Sequence, residues 1–163
     1  MKKYNCVIIG YGYMGKIRHH AINSFPQLKL KFIVDENPNI VPSSNNYKVI
    51  NDYKKLTKED VDIAFVCTPN NISANIILKF LKKKIMIFCE KPPAKNLSEV
   101  VKIKKLTNKN TKLMFGFNHR FHPAIQKAKK IIDSKKFGKV ISIRGVYGKS
   151  GGINFKKSWR NVR

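Results

Sequence analysis

Three glycines open the chemistry of this chain. Gly10-Tyr11-Gly12-Tyr13-Met14-Gly15 fits a GxGxxG pattern, which alone marks only tight turns. Its surroundings give it meaning. The apolar run Asn5 to Ile9 precedes it, a helical pattern follows it, and Asp35 stands twenty residues beyond Gly15 at the end of a second apolar run. That is the order of a dinucleotide-binding turn. Glycines let the backbone approach a pyrophosphate, and the helix start offers free N–H groups and a partial positive charge. Asp35 would accept hydrogen bonds from the adenosine ribose hydroxyls. Its carboxylate, with Glu36 beside it and no Arg nearby in sequence, would repel a 2′-phosphate, so NAD is favoured over NADP. The competing reading of Asp35 is a simple strand-end turn residue.

A second cluster follows further along. Thr68-Pro69-Asn70 ends the apolar run from Ile63 to Cys67, and Glu90-Lys91-Pro92 ends the run from Ile85 to Cys89. Open parallel sheets bind their ligands at such carboxyl ends. His119 and His122 flank Arg120 and precede Pro123 in a loop-like stretch with no carboxylate or Cys at ligand spacing, so no metal is expected. His19 and His20 read as surface or packing residues of the first helix.

These motifs, with Gly116-Phe117-Asn118-His119-Arg120-Phe121 after them, resemble the Gfo/Idh/MocA oxidoreductases. The resemblance covers nearly the whole chain, roughly the first half of a family member. It implies hydride transfer between a nicotinamide cofactor and a ring hydroxyl or ketone of a sugar, sugar nucleotide or inositol. It also implies that Lys91 is the catalytic lysine, lying at the nicotinamide and touching the substrate oxygen. Glu90 is then a neighbouring cofactor-pocket residue, and Asn118 and Arg120 stand near the substrate and nicotinamide end. The implied cofactor site therefore comprises Gly10, Gly12, Tyr13, Met14, Gly15, Asp35, Thr68, Pro69, Asn70, Glu90, Lys91, Asn118 and Arg120. A positioned ammonium suits this chemistry, because removing a hydride from a secondary alcohol shifts charge at the oxygen.

Two departures accompany the resemblance. Ser73 stands where relatives often carry a His after the TPN segment. The family's second half, whose His commonly serves as acid/base, does not follow in this sequence. The alternative reading is thus a catalytically inactive dinucleotide-binding fragment. Trp159-Arg160 resembles a stretch leading toward the substrate site in longer relatives, and Asn118 to Pro123 and Arg144 to Gly152 resemble relatives in surface-sugar biosynthesis.

The elements that must position these residues alternate strand and helix, which predicts a Rossmann-type α/β fold, a doubly wound parallel sheet. Strands are expected at Asn5 to Ile9, Leu28 to Val34, Tyr47 to Ile50, Ile63 to Cys67, Ile85 to Cys89 and Leu113 to Phe117. Helices are expected from the glycines to Ser24, from Ile72 to Lys83, and from Asn96 to Asn108, the last opened by an Asn96 cap with Glu99 three residues on. From Pro123 a further helix is expected to end at Lys136-Phe137-Gly138, and Val140 to Tyr147 alternates like a strand without a partner. This predicts a dinucleotide domain over residues 1–120, and over 121–163 the start of a truncated α+β substrate or oligomerisation domain. Oligomers are possible in a full-length form.

Composition narrows the classes. A chain of 163 residues with 42% hydrophobic and 26% charged content is expected to fold despite a net charge of +25. Only five of its 34 basic residues are Arg, whereas nucleic-acid surfaces favour Arg for its bidentate fork, so no specific nucleic-acid partner is expected. The lysines sit between apolar residues at helical spacing, as solvated faces do. Cys6, Cys67 and Cys89 lie in apolar runs and read as buried hydrophobes of a reducing compartment. No apolar run is long enough to suggest a leader or a membrane span, so the expected place is the cytoplasm. The resemblance above implies a small sugar-type molecule as the ligand.

Overall fold

The computed structural model describes residues 2–148. The expectations for Lys149 to Arg163, including Trp159-Arg160 and the far end of the Arg144 to Gly152 stretch, lie outside the described residues. The chain divides into a first compact unit up to Phe117 and a second from Asn118.

The first unit alternates β1 (Tyr4–Ile9), α1 (Tyr13–Asn23), β2 (Leu28–Val34), β3 (Lys48–Ile50), β4 (Ile63–Val66), α2 (Asn70–Lys82), β5 (Met86–Cys89), α3 (Leu97–Lys105) and β6 (Leu113–Phe115). All six strands run parallel in the order β3-β2-β1-β4-β5-β6. This is the Rossmann-type order, with its reversal between β1 and β4. Short apolar runs form the strands because a parallel sheet is covered on both faces and needs no polar side.

The period of two divides β1 between those faces. Val7 and Ile9 join Ala64, Val66, Ile87 and Cys89 under α2, which supplies Ala74, Ile76, Ile77 and Phe80. Cys6 and Ile8 face the other way, with Leu30, Ile33 and Ile22 of α1. Lys79 and Lys82 of α2 point outward. Opposite the core that carries α2, the sheet keeps an apolar groove of about 410 Å³ among Ile63, Phe65, Met86, Phe88 and Met114. It lies along the strands and not at their carboxyl ends.

Helix α3 starts as expected. The Asn96 side chain accepts the Glu99 N–H at 3.1 Å, while the Glu99 carboxylate accepts the Lys95 N–H at 2.8 Å. It stops at Lys105, short of Asn108, because Thr107 and Asn108 turn their side chains back on the local backbone, Thr107 Oγ1 donating to the Lys104 carbonyl at 2.8 Å.

In the second unit a 3-10 turn at Asn118–Phe121 leads into α4 (Pro123–Asp133). His122 caps it, with Nδ1 accepting the Ala124 N–H at 3.2 Å. The helix ends at Asp133, earlier than expected, where Ser134 Oγ donates to the Ile131 carbonyl and Lys135 and Gly138 take positive φ. The strand expected from Val140 to Tyr147 does not form. Alternation marks a side-chain preference, but a strand is made by a neighbour's backbone, and no described strand pairs there. Among the described residues no helix is long and apolar enough to cross a membrane.

All three cysteines are free. Burial pushes the Cys6 thiol up to about 11, and burial followed by the nearby Glu90 charge pushes Cys67 and Cys89 up to about 12. Two outcomes follow from this packing. At pH 9 the native chain reacts with iodoacetamide far more slowly than the urea-unfolded chain, whose thiols titrate near their ordinary value, as mass spectrometry of timed samples will read. Phe80→Ala, which empties a fully buried site, lowers stability by about 3–5 kcal/mol in urea titration, whereas Lys79→Ala stays within about 0.5 kcal/mol.

Candidate dinucleotide site

The glycine turn is built by contacts that only glycine permits at two of its three positions. Gly10 has φ +87°, and its N–H donates to the Val34 carbonyl at 2.8 Å. A Cβ there would press on the Cys67 carbonyl group at 3.0 Å. At Gly15 a Cβ would lie 2.2 Å from the Gly10 carbonyl oxygen, so α1 can begin against β1 only without a side chain there. Gly12 differs. It precedes α1 with ordinary backbone angles, and a Cβ on it would meet nothing within 4 Å. No side chain caps α1, and no acidic residue occupies its first turn. An open space beside free helix N–H groups is what an approaching phosphate needs. Tyr13 is 81% exposed there, and Met14 is half-buried.

Asp35 lies just beyond β2, and its carboxylate is already at work. Oδ2 accepts the Tyr11 N–H at 2.6 Å and Oδ1 accepts the Asn37 N–H at 2.9 Å. Each oxygen keeps a lone-pair direction for a further donor such as a ribose hydroxyl. The residue therefore also ties the glycine turn to the end of β2, a role its spacing does not reveal. Tyr11 is buried, and its hydroxyl pairs with His19 Nδ1 at 2.7 Å. The His19 ring meets Tyr47 edge-on at 5.3 Å, and burial lowers its proton affinity. His19 is thus a packing residue, while His20 is exposed.

At the end of β4, Thr68 and Pro69 lead directly into α2, which begins at Asn70, earlier than its apolar face suggested. Ser73 is fully buried. Its Oγ lies 2.9 Å from the Pro69 carbonyl, 3.1 Å from the Thr68 carbonyl and 3.0 Å from Thr68 Oγ1. It braces this turn from behind.

At the end of β5, Glu90 is buried, 9% exposed. Arg18, on the second turn of α1, donates Nε to Glu90 Oε1 at 2.8 Å and Nη2 to the same oxygen. The guanidinium also stacks on Phe88, 4.5 Å from the ring centre. Gly116 leaves room for the other carboxylate oxygen, which a Cβ would approach to 2.8 Å. Arg18 was not among the residues singled out from sequence; nothing in its spacing separates it from other helix-face cations. Lys91 is exposed, follows Glu90 directly and precedes Pro92 through a cis peptide bond. Among the described residues nothing holds its amine. Asn118 and Arg120 are exposed in the 3-10 turn of the second unit.

One sheet edge thus gathers Gly10, Asp35, Thr68 and Glu90 at the ends of β1, β2, β4 and β5. The profile of the oxidoreductase family with an NAD-binding Rossmann fold, Gfo/Idh/MocA, matches residues 4–119. The chain belongs to this family. An oxidoreductase of Bacillus subtilis, YrbE, is 34% identical over 80% of this chain and 40% of its own length. Levoglucosan dehydrogenase of Pseudarthrobacter phenanthrenivorans is 28% identical over 98% of this chain and 45% of its own. The crystal structure of myo-inositol 2-dehydrogenase from Lactobacillus plantarum superposes with a TM-score of 0.73 at 25% identity, over 86% of this chain and 44% of that one. The chain therefore spans less than half the length of these Gfo/Idh/MocA relatives.

The glycine contacts separate packing from binding. Gly15→Val leaves the chain unfolded by circular dichroism. Gly12→Val keeps its melting temperature within a few degrees, because its side chain meets only open space.

Proposed function

We propose that this chain carries the cofactor half of an NAD-dependent oxidoreductase that moves a hydride between nicotinamide and a ring hydroxyl or ketone of a sugar, sugar nucleotide or inositol. The observation that carries the reading is the uncapped start of α1 facing open space at Gly12, with Asp35 held beside it. The donor set fits a dinucleotide. The free N–H groups of Gly12, Tyr13 and Met14 receive the pyrophosphate, and the spare lone pairs of Asp35 accept the adenosine ribose hydroxyls. When bound, NAD supplies the hydride acceptor.

The nicotinamide half falls to the β4 and β5 side of the strand reversal, where Thr68, Pro69, Asn70 and Glu90 form the wall. Lys91 is the catalytic residue of this reading. In the reducing direction its ammonium meets the ketone oxygen and donates a proton as hydride arrives at carbon; in the oxidising direction the neutral amine accepts the hydroxyl proton as hydride leaves the carbon for the nicotinamide. Asn118 and Arg120 complete the substrate end, with residues 1–120 acting as the cofactor domain and 121–163 opening the substrate or oligomerisation domain. The substrate class rests on what the relatives named above act on, levoglucosan and myo-inositol, both polyhydroxylated rings. The cytoplasm suits three free thiols.

The second reading is a dinucleotide-binding chain that binds NAD and turns nothing over. Calorimetry with NAD and NADP tests the shared part. NAD binds, NADP binds more weakly, Gly12→Val abolishes both, and Lys91→Met leaves NAD affinity within about twofold, the range of an ordinary surface change. Failure of the wild-type chain to bind either cofactor overturns the proposal. Reduction of NAD in the presence of myo-inositol or levoglucosan, lost in Lys91→Met, would select the first reading over the second.

A further inference from the structure

The Arg18–Glu90 pair is the one ion pair among the described residues with both partners largely shielded from water. It spans the site, joining the helix that starts at the glycine turn to the strand end that carries Lys91. Its charge is unevenly satisfied. Nε and Nη2 of Arg18 both meet Oε1, while Oε2 faces the Cα of Gly116 and accepts no hydrogen bond from any described residue. The pair thus presents a dipole, with a buried negative oxygen at one end and a guanidinium over the Phe88 ring at the other. Its two fields reach beyond the pair. The Cys67 thiol at the end of β4 is raised by burial first, then by Glu90, while Arg18 acts on it in the opposite direction.

The redox forms of the cofactor differ at the nicotinamide by one positive charge. On the dinucleotide reading, a nicotinamide bound on the β4 and β5 side of the strand reversal would bring a positive charge to this pair in the oxidised form and none in the reduced form. We propose that Arg18 and Glu90 together set the relative affinity of the site for the oxidised and reduced cofactor, Glu90 favouring the cationic ring and Arg18 offsetting it. Arg18 is then a positioning and charge-balancing residue for the nicotinamide pocket, acting through Glu90. This inference rests on the dinucleotide reading above. The low effective dielectric around a shielded pair makes a single unit charge matter there, whereas the many surface lysines are screened.

The test is the ratio of the dissociation constants for NAD⁺ and NADH, measured on the full chain by calorimetry and by NADH fluorescence at pH 8.5, with melting temperatures as the check on folding. Glu90→Gln is isosteric and keeps an amide oxygen for Arg18; it leaves one positive charge and raises the ratio on the order of tenfold. Arg18→Met keeps an apolar cover on Phe88; it leaves one negative charge and lowers the ratio by a similar factor. The double variant restores the ratio to near its wild-type value. Should Arg18→Met fail to fold, the direction in Glu90→Gln decides. A pair that is merely structural weakens both forms alike. If the chain binds both cofactor forms but the singles leave the ratio unmoved, or move it in one direction, the inference is overturned while the dinucleotide reading stands. If the wild-type chain binds neither form, both fall.

Discussion

The approach of one helix to one strand governs this structure. The carbonyl oxygen of Gly10 occupies the space that a side chain on Gly15 would need, so α1 can start directly at the end of β1. That contact aims the first-turn N–H groups of α1 at the sheet edge and keeps the edge clear. It also carries Arg18, one turn along, over Phe88 and onto Glu90. A wider separation would leave the helix field pointing into solvent, where it is screened within a turn.

The rest of the site is assembled on that contact by polar groups that serve the backbone first. Asp35 fastens Tyr11 and Asn37, and Ser73 fastens the Thr68-Pro69 turn. Such groups have little freedom left, so a ligand meets them already oriented and the cost of ordering them on binding is small. Lys91 is the contrast. It stands exposed with no described partner, so its amine keeps the freedom that the others have given up.

Much of this was legible without coordinates. The strands and helices of the first unit follow from apolar runs and helical spacing, and the glycine pattern and Asp35 stand out because their separation is dictated by a strand, a turn and a helix of ordinary length. Boundaries shifted where local side chains competed with the backbone, as at Thr107 and Asn108. The strand expected from Val140 to Tyr147 failed for a different reason. Alternation describes which way side chains prefer to point, but the partner that turns a segment into a strand is a property of the rest of the chain.

The sequence by itself determined the order of elements, the family and the residues that stand at strand ends, because these depend on neighbours a few positions away. Only the tertiary structure decided that Arg18 and Glu90, 72 positions apart, form a shielded pair, that Asp35 holds the turn it serves, and that Ser73 is a buried brace. Interactions of that kind depend on distance through space and on how much water is excluded between charges. Neither quantity is written in the spacing of residues along a chain.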